Sequence, residues 1–168
     1  KERTNLNDTS IGIEIVNSGW APYPKAQIEA LIALSRDIIA RHNIHPTNVV
    51  AHSDIAPTRK IDPGPHFPWR QLYEAGIGVW PDTDAIARWQ ARFTHQPPSL
   101  TNLQQALKAW GYPLEATSTL DRETRAVLRA FQMRFRPVDY RGEPDIETAA
   151  TLWALLERYQ PQALERLE

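Results

Sequence analysis

The chain has 168 residues, 42% of them apolar, with a formal net charge of −1 from 19 basic and 20 acidic side chains. That supports one ordinary domain or two small ones with buried cores. With no basic block the chain lacks the cationic face that captures nucleic acid, with no long apolar run it lacks a membrane-spanning helix, and with no cysteine it lacks a disulfide framework or a thiolate metal site. Residues 1–9 are polar and read as loop. The run from Ser10 to Val16 predicts a strand, with Ile11, Ile13 and Ile15 on one face and Gly12, Glu14 and Val16 on the other. A carboxylate in such a strand faces solvent, pairs with a basic side chain, or points into a site, because burying it alone is costly. After the turn at Ala21-Pro22-Tyr23-Pro24, a stripe of Ile28, Leu31, Ile32, Ser35, Ile38, Ile39 and His42 predicts a helix over about 25–42. Asn48 to Ala51 reads as a short buried strand that delivers His52 at its C-terminal end, where open α/β sheets place ligands. Strand, helix, strand is the order of an α/β architecture.

The next stretch, Ala51 to Pro65, packs an imidazole, an ammonium and two carboxylates into a loop stiffened by three prolines. Proline fixes its own φ and biases Ala56, Asp62 and Gly64 away from helix. His52 and Asp62 therefore meet only if the loop folds back on itself. Histidine with carboxylate suits zinc, and Lys60 would stand beside it as a fixed positive charge. On spacing alone the segment reads equally well as a proline-rich surface loop with incidental charges.

A short helix over 69–75, a break at Gly76-Ile77-Gly78 and a helix over 82–93 capped by Asp82 or Thr83 follow. His42, His45, His66 and His95 have no spacing that singles them out, and read as exposed or helix-end groups. Gln96-Pro97-Pro98-Ser99 reads as a linker. Beyond it lie three amphipathic stripes: Leu100, Leu103, Leu107 and Trp110, closed by Gly111; Val127, Leu128, Phe131 and Phe135, ended by Pro137; and Ala149, Leu152, Leu156 and Tyr159. The last two open on near-identical caps, Asp121-Arg122-Glu123-Thr124 and Asp145-Ile146-Glu147-Thr148. From physics alone this is a small helical bundle and no more.

The unbroken run His52-Ser53-Asp54-Ile55-Ala56-Pro57-Thr58-Arg59-Lys60-Ile61-Asp62-Pro63-Gly64-Pro65 resembles the zinc-ligand loop of the type-2 N-acetylmuramoyl-L-alanine amidases, the AmpD and AmiD group. The resemblance implies that His52 and Asp62 bind zinc and that Lys60 is catalytic. Ser10-Ile11-Gly12-Ile13-Glu14 resembles the strand carrying that family's catalytic carboxylate, which makes Glu14 the candidate base. Eukaryotic recognition relatives commonly carry Cys at the Asp62 position and lack the Lys60 equivalent, so these residues point to the bacterial branch. The later order of L-Q-Q-A-L-x-x-W-G-Y, D-x-E-T, A-F-Q and G-E-P-D-x-E-T resembles the three-helix peptidoglycan-binding domain over about 100–159. One departure is the added length at Phe135 to Tyr140.

The expected fold is therefore α/β: the C-terminal portion of a mixed-sheet zinc amidase domain over 1–95, a linker over 96–99 and an all-α peptidoglycan-binding-like domain over 100–168. The expected reaction is zinc-dependent hydrolysis of the amide between the lactyl group of N-acetylmuramic acid and the first L-alanine of the stem peptide, in cell-wall turnover. The alternative is a non-catalytic peptidoglycan receptor of the same fold. The expected cofactor is Zn2+, and the expected partners are peptidoglycan and muropeptides. The family's third ligand, a histidine, falls upstream of Lys1, so an N-terminal fragment of the same protein is an expected partner and the chain alone is expected to bind zinc poorly. The wall-binding resemblance implies the bacterial cell envelope, on the periplasmic side, with membrane or outer-membrane attachment only through an upstream lipid anchor. No substrate-binding residue is singled out.

Overall fold

The computed structural model describes residues 5–167. In chain order the helices are α1 (Leu6–Thr9), α2 (Lys25–His42), a 3-10 turn at Pro46–Asn48, α3 (His52–Ile55), α4 (Trp69–Glu74), α5 (Thr83–His95), α6 (Leu100–Trp110), α7 (Arg122–Phe135), α8 (Ile146–Tyr159) and α9 (Pro161–Leu164). Among the described residues there is no strand, and this corrects the expected α/β class and its mixed-sheet domain. Ser10 to Val16 carries the alternation of a strand but has no neighbouring strand to complete a ladder. Its apolar side chains stay in water, with Ile11, Ile13 and Val16 exposed at 51%, 39% and 92%. Only Ile15 packs on a core, and Gln27 Nε2 donates to the Val16 carbonyl at 3.0 Å. Asn48 to Ala51 fails as a strand for the same reason, its first residue closing the 3-10 turn. Of residues 1–9, read as loop, 1–4 lie outside the described residues and Leu6–Thr9 form a short helix instead, α1.

The helices follow their local signals closely. α2 runs where its apolar stripe predicts and stops at Asn43, whose left-handed φ of 48° lets its N–H reach the Ile39 carbonyl. Asp82, Ser99, Asp121 and Asp145 cap α5, α6, α7 and α8 by accepting backbone N–H groups. Two apolar cores result. The larger joins Trp89 and Phe93 of α5, Leu103 and Leu107 of α6, Leu128 and Phe131 of α7, and Leu152 and Leu156 of α8. The smaller joins Ile28 and Leu31 of α2 to Ala51, Phe67, Trp69, Leu72 and Ile77. Trp80 packs against both.

Two buried glutamines tie the bundle's loops down in the same way. Gln104 donates to the Thr119 carbonyl at 3.0 Å and to Thr124 Oγ1 at 2.8 Å, and accepts from Ser118 N–H at 3.0 Å. Gln132 donates to the Glu143 carbonyl at 2.9 Å and to Thr148 Oγ1 at 3.0 Å, and accepts from Gly142 N–H at 2.9 Å. The repeated D-x-E-T caps are thus each half of a unit: Asp caps the helix, and Thr receives the glutamine of the helix before. α7 is buried on more than its stripe, because Met133 and Arg134 are also enclosed and α3 packs against it.

Candidate active site

The proline-rich loop folds back on itself. Ser53 N–H donates to the Asp62 carbonyl at 3.0 Å, which draws the two ends of the loop together. The side chains follow: His52 Nδ1 donates to Asp62 Oδ2 at 2.9 Å. Both remain open to solvent, with 44% and 58% of their side-chain surface exposed. The Asp62–Pro63 peptide is cis. Tyr23 donates its hydroxyl to the Pro63 carbonyl at 2.7 Å. Partial burial, and then the nearby Asp62 carboxylate, raise the Tyr23 phenol above its usual value, so it stays a donor. Gly64 adopts a φ of +83°, and a Cβ there would lie 2.3 Å from the Gly19 carbonyl oxygen. That glycine lets the segment before Trp20 lie directly on the loop.

His52 opens α3, a single turn. Asp54, two residues on, points inward and is the best-held side chain of the loop. It accepts from Ala51 N–H at 2.9 Å, from the Tyr112 hydroxyl at 2.7 Å, and from the Arg134 guanidinium. Arg134 also donates to the Val49 carbonyl at 2.8 Å and stacks over Trp69, 4.2 Å from the ring centroid. Asp54 and Arg134 are 9% and 5% exposed. Burial, reinforced by Asp54, pushes the Tyr112 phenol well above its usual value, so Tyr112 too stays a donor.

His52 and Asp62, the predicted ligand pair, are therefore brought together. Glu14 is exposed on the extended segment and Lys60 is half-buried, and among the described residues neither side chain has a hydrogen-bond or ion-pair partner. No group of three or more His, Cys, Asp or Glu side chains gathers as a metal cage among those residues. The chemistry of the pair still fits a cation: imidazole and carboxylate already share one proton, and a metal replacing it would gain two ligands. The open cleft beside Tyr23, lined also by Lys25, Ile28, His66, Pro68 and Gln71, has a volume of about 270 Å³. Sequence reasoning missed Asp54, Tyr112 and Arg134, since the last two stand 58 and 80 residues from the first.

The loop and its surroundings match known proteins. Residues 2–65 match the family "N-acetylmuramoyl-L-alanine amidase". Residues 96–152 match the family "Putative peptidoglycan binding domain". One chain thus carries a match to each of the two families, one after the other. It is 52% identical over 166 residues to the N-acetylmuramoyl-L-alanine amidase AmiD of Escherichia coli K12, an alignment covering 93% of this chain and 60% of that protein. A solved complex of the E. coli amidase AmiD with the substrate anhydro-N-acetylmuramic acid-L-Ala-D-gamma-Glu-L-Lys superposes with a TM-score of 0.82 at 49% identity, covering 92% of this chain and 64% of that one. AmpDh3 of Pseudomonas aeruginosa, in complex with anhydromuramic pentapeptide, superposes with a TM-score of 0.87 at 47% identity, covering 94% and 65%. The chain thus spans about three fifths of the length of these proteins.

Proposed function

We propose that this chain carries part of the catalytic site of a zinc-dependent N-acetylmuramoyl-L-alanine amidase, which cleaves the amide between the lactyl group of N-acetylmuramic acid and the L-alanine of the stem peptide. The observation that carries this reading is the closed loop, which sets His52 Nδ1 and Asp62 Oδ2 2.9 Å apart at an exposed point. The similarity of both segments to proteins of peptidoglycan chemistry supports it. His52 and Asp62 would hold the zinc, with a third ligand, a histidine, supplied by an N-terminal segment of the same protein. When bound, zinc lowers the pKa of water and polarises a carbonyl. Glu14 takes the proton of the attacking water and passes it to the leaving amine. The Lys60 ammonium stabilises the negative charge that develops on the carbonyl oxygen. The helical bundle holds the enzyme on the wall polymer and raises its effective concentration there. Cell-wall turnover on the periplasmic side of the envelope, with any membrane attachment through a lipid anchor, belongs to the same proposal.

A second reading, a peptidoglycan receptor without catalysis, is favoured by one observation: only two of the candidate donors meet, and Glu14 and Lys60 stand apart from any partner among the described residues. Zinc content and intact mass of every polypeptide in the purified protein, read beside release of stem peptide from muropeptides, separate the two. Under the enzyme reading, Glu14→Ala and Lys60→Ala each lower turnover by about 100-fold or more while zinc stays bound. His52→Ala and Asp62→Ala lose metal and activity together. Muropeptide binding with no turnover and no zinc establishes the receptor instead.

A further inference from the structure

We infer that Tyr112 and Arg134, both in the helical bundle, are positioning residues for the His52–Asp62 pair. The bundle is then a structural part of the candidate site as well as a hold on the polymer. The inference rests on the proposed ligand role of that pair.

α3 is one turn long, too short to hold itself in water. Its anchor is the Asp54 carboxylate, and that carboxylate has three donors. One, Ala51 N–H, is local and fixes the start of the turn. The other two, the Tyr112 hydroxyl and the Arg134 guanidinium, come from the bundle. Arg134 donates twice here, to Asp54 and to the Val49 carbonyl, so it grips both the turn and the extended segment entering it. Trp69 beneath the guanidinium closes the third side.

A buried carboxylate left without these donors would have to move toward water. Asp54 lies between Ser53, whose N–H holds the Asp62 carbonyl, and Ile55, and it follows His52 by two residues. Any outward shift of Asp54 therefore pulls on the Ser53–Asp62 hydrogen bond and separates the two candidate ligands. No other side chain of the bundle hydrogen-bonds to the 51–65 loop among the described residues.

The test compares Tyr112→Phe and Arg134→Met with Thr148→Ala, which removes a bundle hydrogen bond away from the loop. Amide hydrogen exchange and zinc affinity are measured on each. The expected result is exchange at Ser53 faster by about tenfold or more in Tyr112→Phe, at unchanged exchange of Leu128 in the bundle core, with zinc bound correspondingly more weakly. Thr148→Ala should leave Ser53 and zinc affinity at their starting values. Tyr112→Phe keeps the test decisive if Arg134→Met does not fold. Ser53 exchange that is unchanged, or that rises only in step with Leu128 and equally in Thr148→Ala, overturns the inference. If the protein assembled with its N-terminal segment shows no zinc binding while Ser53 responds selectively, the positioning of the loop stands and the metal role of the pair is what fails.

Discussion

At the scale of single residues, the loop is shaped by what cannot be added to it. Gly64 faces the Gly19 carbonyl so closely that a methyl group has no room, and its φ of +83° is strained for any other residue. Gly64→Ala should therefore part the loop from the segment before Trp20. We expect loss of the Tyr23-to-Pro63 hydrogen bond, read as a shift of Tyr23 ring resonances, with the helical bundle's spectrum unchanged. The His52–Asp62 pair was legible in the sequence as donor types and as a resemblance, because both are carried within one short segment. Asp54 was not. It stands in the same segment and looks like its neighbours, but its meaning is set by Tyr112 and Arg134, which no local pattern connects to it.

At the scale of elements, the helices could be read because their signals are local: a 3.6-residue stripe, a capping Asp, a stop at Gly111. The strands could not, because a strand is stabilised by a neighbour, and alternation in Ser10 to Val16 says nothing of whether one is beside it. The three stripes of the bundle also gave no hint of Gln104 and Gln132, polar residues that are fully enclosed. Gln132→Ala would leave a buried N–H, a carbonyl and a hydroxyl without their partner. It should cost about 3 kcal/mol of unfolding free energy, measured by urea denaturation. A cost near zero would mean that water takes over all three groups.

At the scale of the molecule, the Asp54–Arg134 pair, the Tyr112 hydroxyl and Trp80 join two cores that the sequence presents as separate. Trp80 packs on both, and its backbone N–H and carbonyl meet the Tyr159 hydroxyl at 3.4 and 3.3 Å. Among the described residues no helix is long and apolar enough to cross a membrane.

The proline-rich stretch between α5 and α6 has a consequence for how the chain can be divided. α5 lies on the near side of that stretch, yet Trp89 and Phe93 sit in the core built by α6, α7 and α8. Glu157 of α8 accepts from both Arg88 and the Trp89 indole at 2.7 Å. The covalent link across Gln96-Pro97-Pro98-Ser99 thus joins parts that already grip one another. Two polypeptides made separately, 1–97 and 98–168, should associate when co-expressed and elute together on size exclusion, parting only in denaturant. A seam that looks like a hinge in the sequence would then behave as a splice, strong without its thread.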